Sequence, residues 1–164
     1  RIAAIVVAAG RGTRVAGARL PKQYLDIRGE MLLTRTLRPL LAHPRITRVL
    51  VVIHRDNGSL YEAAIGPEDE AARAKLLPPA IGGETRQDSA ERGLLALADN
   101  PPDLVLIHDA ARPFVTEANL DALIGTLERI GAAILASPLA DTLKRAHQML
   151  TLVSESRSVP GGTT

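Results

Sequence analysis

Apolar positions run through this chain in two alternating periods. Ile2–Ala8 (IAAIVVA) is apolar throughout and stops at Gly10, the pattern of a strand buried on both faces. Met31–His43 changes to helical spacing, with Leu32, Leu33, Leu37, Leu40 and Leu41 on one side and Pro44 closing it. Pro39 lies inside that stretch and should kink the helix or start a new turn. Arg48–Ile53 (RVLVVI) is a second strand, and Gly58–Ile65 and Pro67–Leu77 read as helices, the latter charged and exposed. Pro78–Ile81 is a short strand. Thr85–Ala98 is an amphipathic helix with Thr85 as its cap. Leu104–His108 is a strand, Thr116–Ile130 a helix capped by Thr116 with Gly131 beyond its end, and Ala132–Ala136 a further strand.

Strands alternating with helices imply an α/β fold, a Rossmann-like and mostly parallel sheet with helices on both faces. Ligands of such sheets bind at the carboxyl ends of the strands. Three polar motifs follow strands in that way: AAGRGTR after the first, GGETRQDS after the third and HDAARP after the fourth. After Pro138 the pattern changes. Ala140–Arg145 and Leu150–Val153 read as a hairpin forming a projecting β-arm, and SVPGGTT reads as a loop. Residues 1–164 are expected to be a single domain that is incomplete at its C-terminal end, with no internal repeat and with residues 140–157 as an arm.

Composition adds constraints to this outline. Apolar residues make up 46% of the chain, but its aromatics are only Tyr24, Tyr61 and Phe114, so the core must be Leu, Ile, Val and Ala. No apolar run approaches the ~18 residues of a membrane span. The opening RIAAIVVAAG lacks an export peptide's small-residue cleavage site. Cysteine is absent, which excludes disulfides and thiolate metal sites, and the scattered histidines have no zinc spacing. A cytoplasmic protein is the expectation.

Net charge is +2, yet residues 1–50 hold ten Lys and Arg against Asp26 and Glu30. That excess of eight points to an anion site built by the first third of the chain. Nucleic acid is disfavoured as the anion, because single-strand binders pair basic grooves with stacking aromatics and three aromatics are too few.

In AAGRGTR, Gly10 and Gly12 let backbone N–H groups approach a phosphate, and small Ala8 and Ala9 leave room for a base or ribose. The stretch is neither a dinucleotide fingerprint, since Val15 stands where a third glycine belongs, nor a Walker loop. An ordinary strand-to-helix turn with surface arginines fits the motif alone equally well. PKQYL shifts the balance: Lys22, eight residues after Arg14, suggests two cations converging on one polyphosphate. Asp109, at a strand's carboxyl end among arginines, is where Mg²⁺ would be held between protein and phosphates. A salt bridge to Arg112 remains the alternative, and His108 reads as a hydrogen-bonded strand end. In GGETRQDS, the backbone of Gly82 and Gly83 and the hydroxyl of Ser89 would suit a pyrimidine. A glycine turn with Thr85 as cap and Asp88 on the helix dipole suits the same residues.

Taken together, AAGRGTR, PKQYL, GGETRQDS, HDAARPFV and ADTLKR, in that order from Ile2 to about Arg145, resemble the 2-C-methyl-D-erythritol 4-phosphate cytidylyltransferase family. The resemblance implies transfer of a cytidylyl group from CTP to methylerythritol phosphate, with Mg²⁺ and release of pyrophosphate. It implies that Arg14 and Lys22 neutralise the triphosphate, and that Asp109 holds the metal. Ala8, Ala9, Gly10, Gly12, Gly83, Glu84, Ser89 and Ala110 would surround the nucleotide, with Arg86 supporting that loop. Arg112, Thr142 and Arg157 would face the polyol phosphate, Thr142 from an arm that reaches a partner subunit in a homodimer. The family often has proline at the position of Val7 and Asp at that of Glu84. A cytidylyltransferase for another polyol phosphate, such as ribitol 5-phosphate, and a CTP-binding module without turnover are the rival readings. The chain is expected to bind Mg–CTP with little or no turnover, because family members continue past its end.

Overall fold

The computed structural model describes residues 1–10 and 20–136. The chain divides into two units, Arg1–Ile134 and Leu135–Thr164, and the first holds the sheet. Strands β1 (Ile2–Ala8), β2 (Ile46–Ile53), β3 (Ala80–Ile81) and β4 (Leu104–Asp109) lie in the order β3-β2-β1-β4. Every pairing is parallel, with Ile5 opposite Leu50 on one side and Ile107 on the other. The described α-helices are α1 (Leu32–Ala42), α2 (Gly58–Ile65), α3 (Glu70–Arg73), α4 (Arg86–Leu95) and α5 (Glu117–Ile130), with single 3₁₀ turns at Lys22–Tyr24 and Arg55–Asn57. Among the described residues no helix is long and apolar enough to cross a membrane.

The central place of β1 accounts for its unbroken apolar run. Ala4, Val6 and Ala8 face one core with Leu33, Leu37 and Leu40 of α1, Tyr61 of α2, and Leu120 and Ile124 of α5. Ala3 and Ile5 face the other, with Leu50, Val52 and Leu97. Both faces are therefore covered, as the alternation of elements requires. Tyr24 and Tyr61 join the aliphatic core, while Phe114 is 92% exposed.

Helix α4 sits against the second face through Gly93. A Cβ there would lie 2.7 Å from Ile5 Cγ2 and 3.0 Å from Val52 Cγ2, both on stiff β-branched side chains. Gly93→Ala should therefore lower stability, because overpacking of about 1–3 kcal/mol exceeds the roughly 1 kcal/mol gained in helix propensity. A fall in melting temperature of about 2–4 °C is the expected result for a net loss near 1 kcal/mol. A rise would mean that α4 does not seat this closely.

The helix caps are as the sequence indicates. Thr85 and Thr116 each accept an N3 backbone N–H in a capping box, with Asp88 and Asn119 returning the bond. Gly131 ends α5 in the left-handed conformation, at φ 79°.

Helix α1 continues through Pro39, four residues before its C-cap His43. Its Leu33, Leu37, Leu40 and Leu41 are buried, and that packing offsets the missing hydrogen bond. The helix expected over 67–77 is only one turn, capped by Asp69. Beyond it the chain pairs with β2: the amide of Val49 donates to Lys75 O at 2.8 Å, and that of Leu77 to Val49 O at 2.9 Å. Lys75 Nζ also donates to the carbonyls of Leu41 and His43, at the end of α1. Residues 132–136 form no strand: apolar composition alone makes no ladder, and Ile134 is 88% exposed. The β-arm expected after about residue 138 lies outside the described residues.

Candidate active site

The carboxyl ends of the strands open into a cleft of about 1140 Å³. Ala8–Gly10 after β1, His54–Asp56 after β2, Gly82–Arg86 after β3 and Asp109–Arg112 after β4 all line it, together with Lys22, Gln23, Ser89 and Arg92. Of the residues singled out in the sequence, the structure brings together Ala8, Ala9, Gly10, Lys22, Gly83, Glu84, Arg86, Ser89, Asp109, Ala110 and Arg112. Gly12, Arg14, Thr142 and Arg157 lie outside the described residues.

One side of the cleft is a glycine turn held by close approach. A Cβ on Gly82 would stand 2.3 Å from Ala9 Cβ and 2.8 Å from Ser89 Oγ, and one on Gly83 would stand 2.3 Å from Asp88 Cβ. The amide of Gly82 donates to Ile53 O at 2.8 Å, which extends the β2–β3 pairing by one residue. Ser89 Oγ accepts the Gly83 N–H at 3.1 Å and donates to Thr85 O at 2.9 Å. Its hydroxyl proton is thus spent within the protein, and Ser89 is 2% exposed. In this arrangement Ser89 anchors the turn. Arg92 Nη1 donates to Gly82 O at 2.8 Å from two helical turns beyond Thr85. Asp88 is held below the usual carboxylate range by the backbone N–H and hydroxyl of Thr85.

The opposite side is ionic. Asp109 Oδ1 accepts from Arg86 Nε at 2.7 Å and Oδ2 from Arg112 Nε at 2.9 Å. The salt-bridge alternative for Asp109 is therefore seen, with a second guanidinium added. Arg86 starts α4 beyond one edge strand and Asp109 ends the other, so this pair spans the cleft. His108 Nε2 meets Arg112 O at 2.8 Å, as expected of a strand-end histidine. Ala110 donates its amide to Val7 O at 3.1 Å, and its carbonyl accepts from Thr36 Oγ1 at 2.8 Å.

Lys22 lies between these walls on the single turn Lys22–Tyr24. Tyr24 is buried and its phenol is pushed up to about 12, first by burial and then by neighbouring Tyr61. Gln23 is 5% exposed, and Lys22 is exposed to the cleft. Among the described residues Lys22 makes no ion pair. The arrangement offers an ammonium with no ion pair among the described residues, the exposed backbone of Gly10 and a carboxylate flanked by guanidiniums, which suits a polyphosphate.

Sequence reading missed the contribution of β2. His54, Arg55 and Asp56 follow it at the same edge as the other motifs, so the strand-end rule applied to RVLVVI would have found HRDN. Gln23, inside PKQYL, carries no charge that marks it as a site residue. Arg92 was signalled only by sharing a helix face with Ser89, three residues earlier.

The sequence profile of the family described as 2-C-methyl-D-erythritol 4-phosphate cytidylyltransferase matches residues 2–159. The bifunctional enzyme IspD/IspF of Mesorhizobium japonicum is 46% identical over 144 residues, covering 88% of this chain and 34% of that protein. Its counterpart in Paramagnetospirillum magneticum is 48% identical over 143 residues, covering 87% and 35%. The chain thus spans about a third of the length of these relatives. A crystal structure of a 4-diphosphocytidyl-2C-methyl-D-erythritol synthase superposes with a TM-score of 0.70 at 27% identity, covering 96% of this chain and 70% of the other.

Proposed function

The chain belongs to the 2-C-methyl-D-erythritol 4-phosphate cytidylyltransferase family, and from that premise we propose that it takes part in transferring a cytidylyl group from CTP to 2-C-methyl-D-erythritol 4-phosphate. A phosphate oxygen of the polyol phosphate attacks the α-phosphorus of CTP. The bond from that phosphorus to the α–β bridging oxygen breaks, and pyrophosphate leaves with the electron pair. The attacking group is already ionised, so the reaction needs positioning and charge stabilisation rather than a nucleophilic side chain. The observation that carries this reading is the convergence of Lys22, two glycine-bearing turns and the Arg86–Asp109–Arg112 cluster at one sheet edge.

In this reading Lys22, with Arg14, neutralises the triphosphate and the charge developing at the α-phosphorus. Ala8, Ala9, Gly10, Gly12, Gly83, Glu84 and Ala110 surround the nucleotide, while Ser89 and Arg86 hold the turn that receives the base. Arg112, Thr142 and Arg157 face the polyol phosphate. The described residues contain no cluster of three or more metal-ligating side chains. Asp109, which shares the cleft with the carboxylates of Asp56 and Glu84, nevertheless fits Mg²⁺ that arrives with CTP, since this ion commonly takes one or two carboxylates beside substrate phosphates. When bound, the ion supplies charge neutralisation across the phosphates. The reading extends to a nucleotidyltransferase domain with residues 140–157 as an arm, a homodimer formed through that arm, and a cytoplasmic location.

Calorimetry and a pyrophosphate-release assay test the proposal. The space beside Ala8, Ala9 and Gly82 is expected to favour a pyrimidine, with CTP bound at least ~10-fold more tightly than ATP. Equal binding of ATP and CTP would overturn the nucleotide assignment. Product analysis with methylerythritol and ribitol phosphates identifies the second substrate. CTP binding without pyrophosphate release, in a protein expressed with its whole natural reading frame, would leave a binding module instead.

A further inference from the structure

The carbonyls of Ala8 and Gly10 lie where the sheet's ladders stop. Strand β4 pairs with β1 as far as Val7 opposite Asp109, and β2 pairs as far as Ala8 opposite Ile53. Beyond those positions the backbone of the first turn needs donors that strands no longer supply. The side chain of Gln23 supplies them: Nε2 donates to Ala8 O at 2.6 Å and to Gly10 O at 2.9 Å. Both partners are pure acceptors, so chemistry fixes the amide orientation with its NH₂ toward the turn.

Gln23 is joined to Lys22 by the chain itself. The amide of Tyr24 donates to Pro21 O at 2.9 Å and that of Leu25 to Lys22 O at 3.1 Å, closing one tight turn around both residues. Tyr24 fixes that turn in the core, with 1% of its surface exposed. A buried amide therefore ties the Lys22 turn to the turn after β1, and the exposed ammonium is the neighbouring residue.

We infer that Gln23 is a positioning residue, which holds Ala8–Gly10 at the end of β1 and sets Lys22 in register with that segment for nucleotide binding. The inference rests on the proposed CTP reading and deepens it. Holding two loops in place before the ligand arrives removes an ordering cost from binding. An isosteric Glu cannot do this when ionised, because it would present a carboxylate to two carbonyl oxygens. Such a Glu should have a raised pKa, and once protonated it regains one donor.

The test uses the full chain with Gln23→Glu and Gln23→Met, each compared with wild type at the same pH. At pH 8, Gln23→Glu should weaken Mg–CTP binding by about 10-fold in calorimetry, the scale of a buried acceptor left without its donor. Relative to wild type, this deficit should shrink toward pH 5.5 for Gln23→Glu and stay constant for Gln23→Met. Hydrogen exchange in the ligand-free protein should quicken in both variants at the amides of Tyr24 and Leu25, whose bonds close the Lys22 turn, and not in β2 or α5. Dissociation constants within two-fold of wild type at pH 8 would overturn the inference, as would unchanged exchange at Tyr24 and Leu25. A loss of protection spread across all elements would also overturn it, since that marks general destabilisation. If wild type binds no Mg–CTP, the functional reading fails instead, and the exchange data still decide whether Gln23 holds the turn.

Discussion

Lys22→Met is expected to lower the rate of pyrophosphate release by about 10²–10³ in an active preparation, the scale of losing one preorganised group aimed at transition-state charge. The melting temperature should barely change. Lys22 is exposed, makes no ion pair among the described residues, and sits on a turn anchored by its neighbours Gln23 and Tyr24. Removing its charge therefore breaks no contact that holds the fold. It also relieves repulsion within the basic first third of the chain, so a small gain in stability is acceptable. Met keeps the length and apolar stem of the side chain, which isolates the effect of the ammonium. The sequence gives Arg14 the same expectation, although that residue lies outside the described ones. Wild-type turnover by Lys22→Met would remove Lys22 from the catalytic assignment. A large drop in melting temperature would show that its role is structural.

What the sequence reveals and conceals here has a physical pattern. Locally encoded features are legible: the apolar run of β1, the capping boxes opened by Thr85 and Thr116, and the glycine stop at Gly131. Features decided by partners distant in sequence are not. Leu76 bridges to Val49 because β2 offers a free edge there, and nothing in residues 67–77 signals that edge. Residues 132–136 have a strand's composition without a ladder. In the cleft, the strand-end rule finds the motifs after β1 and β3 because glycines mark them, and the motif after β4 because an acid stands beside an arginine at a strand end. HRDN after β2 has no glycine within it, although β2 lies between β1 and β3 and ends at the same edge. Asp109 shows the same limit. Its position at a strand end permits both a metal role and an ion pair, and only coordinates reveal that Arg86 and Arg112 share its carboxylate.

That sharing makes Asp109→Asn the most informative charge change in the cleft. In the presence of Mg²⁺ the variant should bind CTP more weakly by at least ~10-fold, a scale seen when groups around a metal are altered. Stability should change by no more than about 1 kcal/mol, because Arg86 and Arg112 are largely exposed, at 61% and 76%, and solvent screens their pairing. The decisive comparison is made without metal. Under chelation the wild-type carboxylate would repel the triphosphate, while the variant leaves Arg86 and Arg112 free to attract it. Asp109→Asn should then bind CTP at least as tightly as wild type, and the order should reverse when Mg²⁺ is added. High salt should shrink both differences. Were Asp109 a structural tie alone, affinity would fall by the same factor with and without metal, in step with the melting temperature. Such parallel losses would assign the carboxylate to holding Arg86 across the cleft and remove Asp109 as the ligand of the metal.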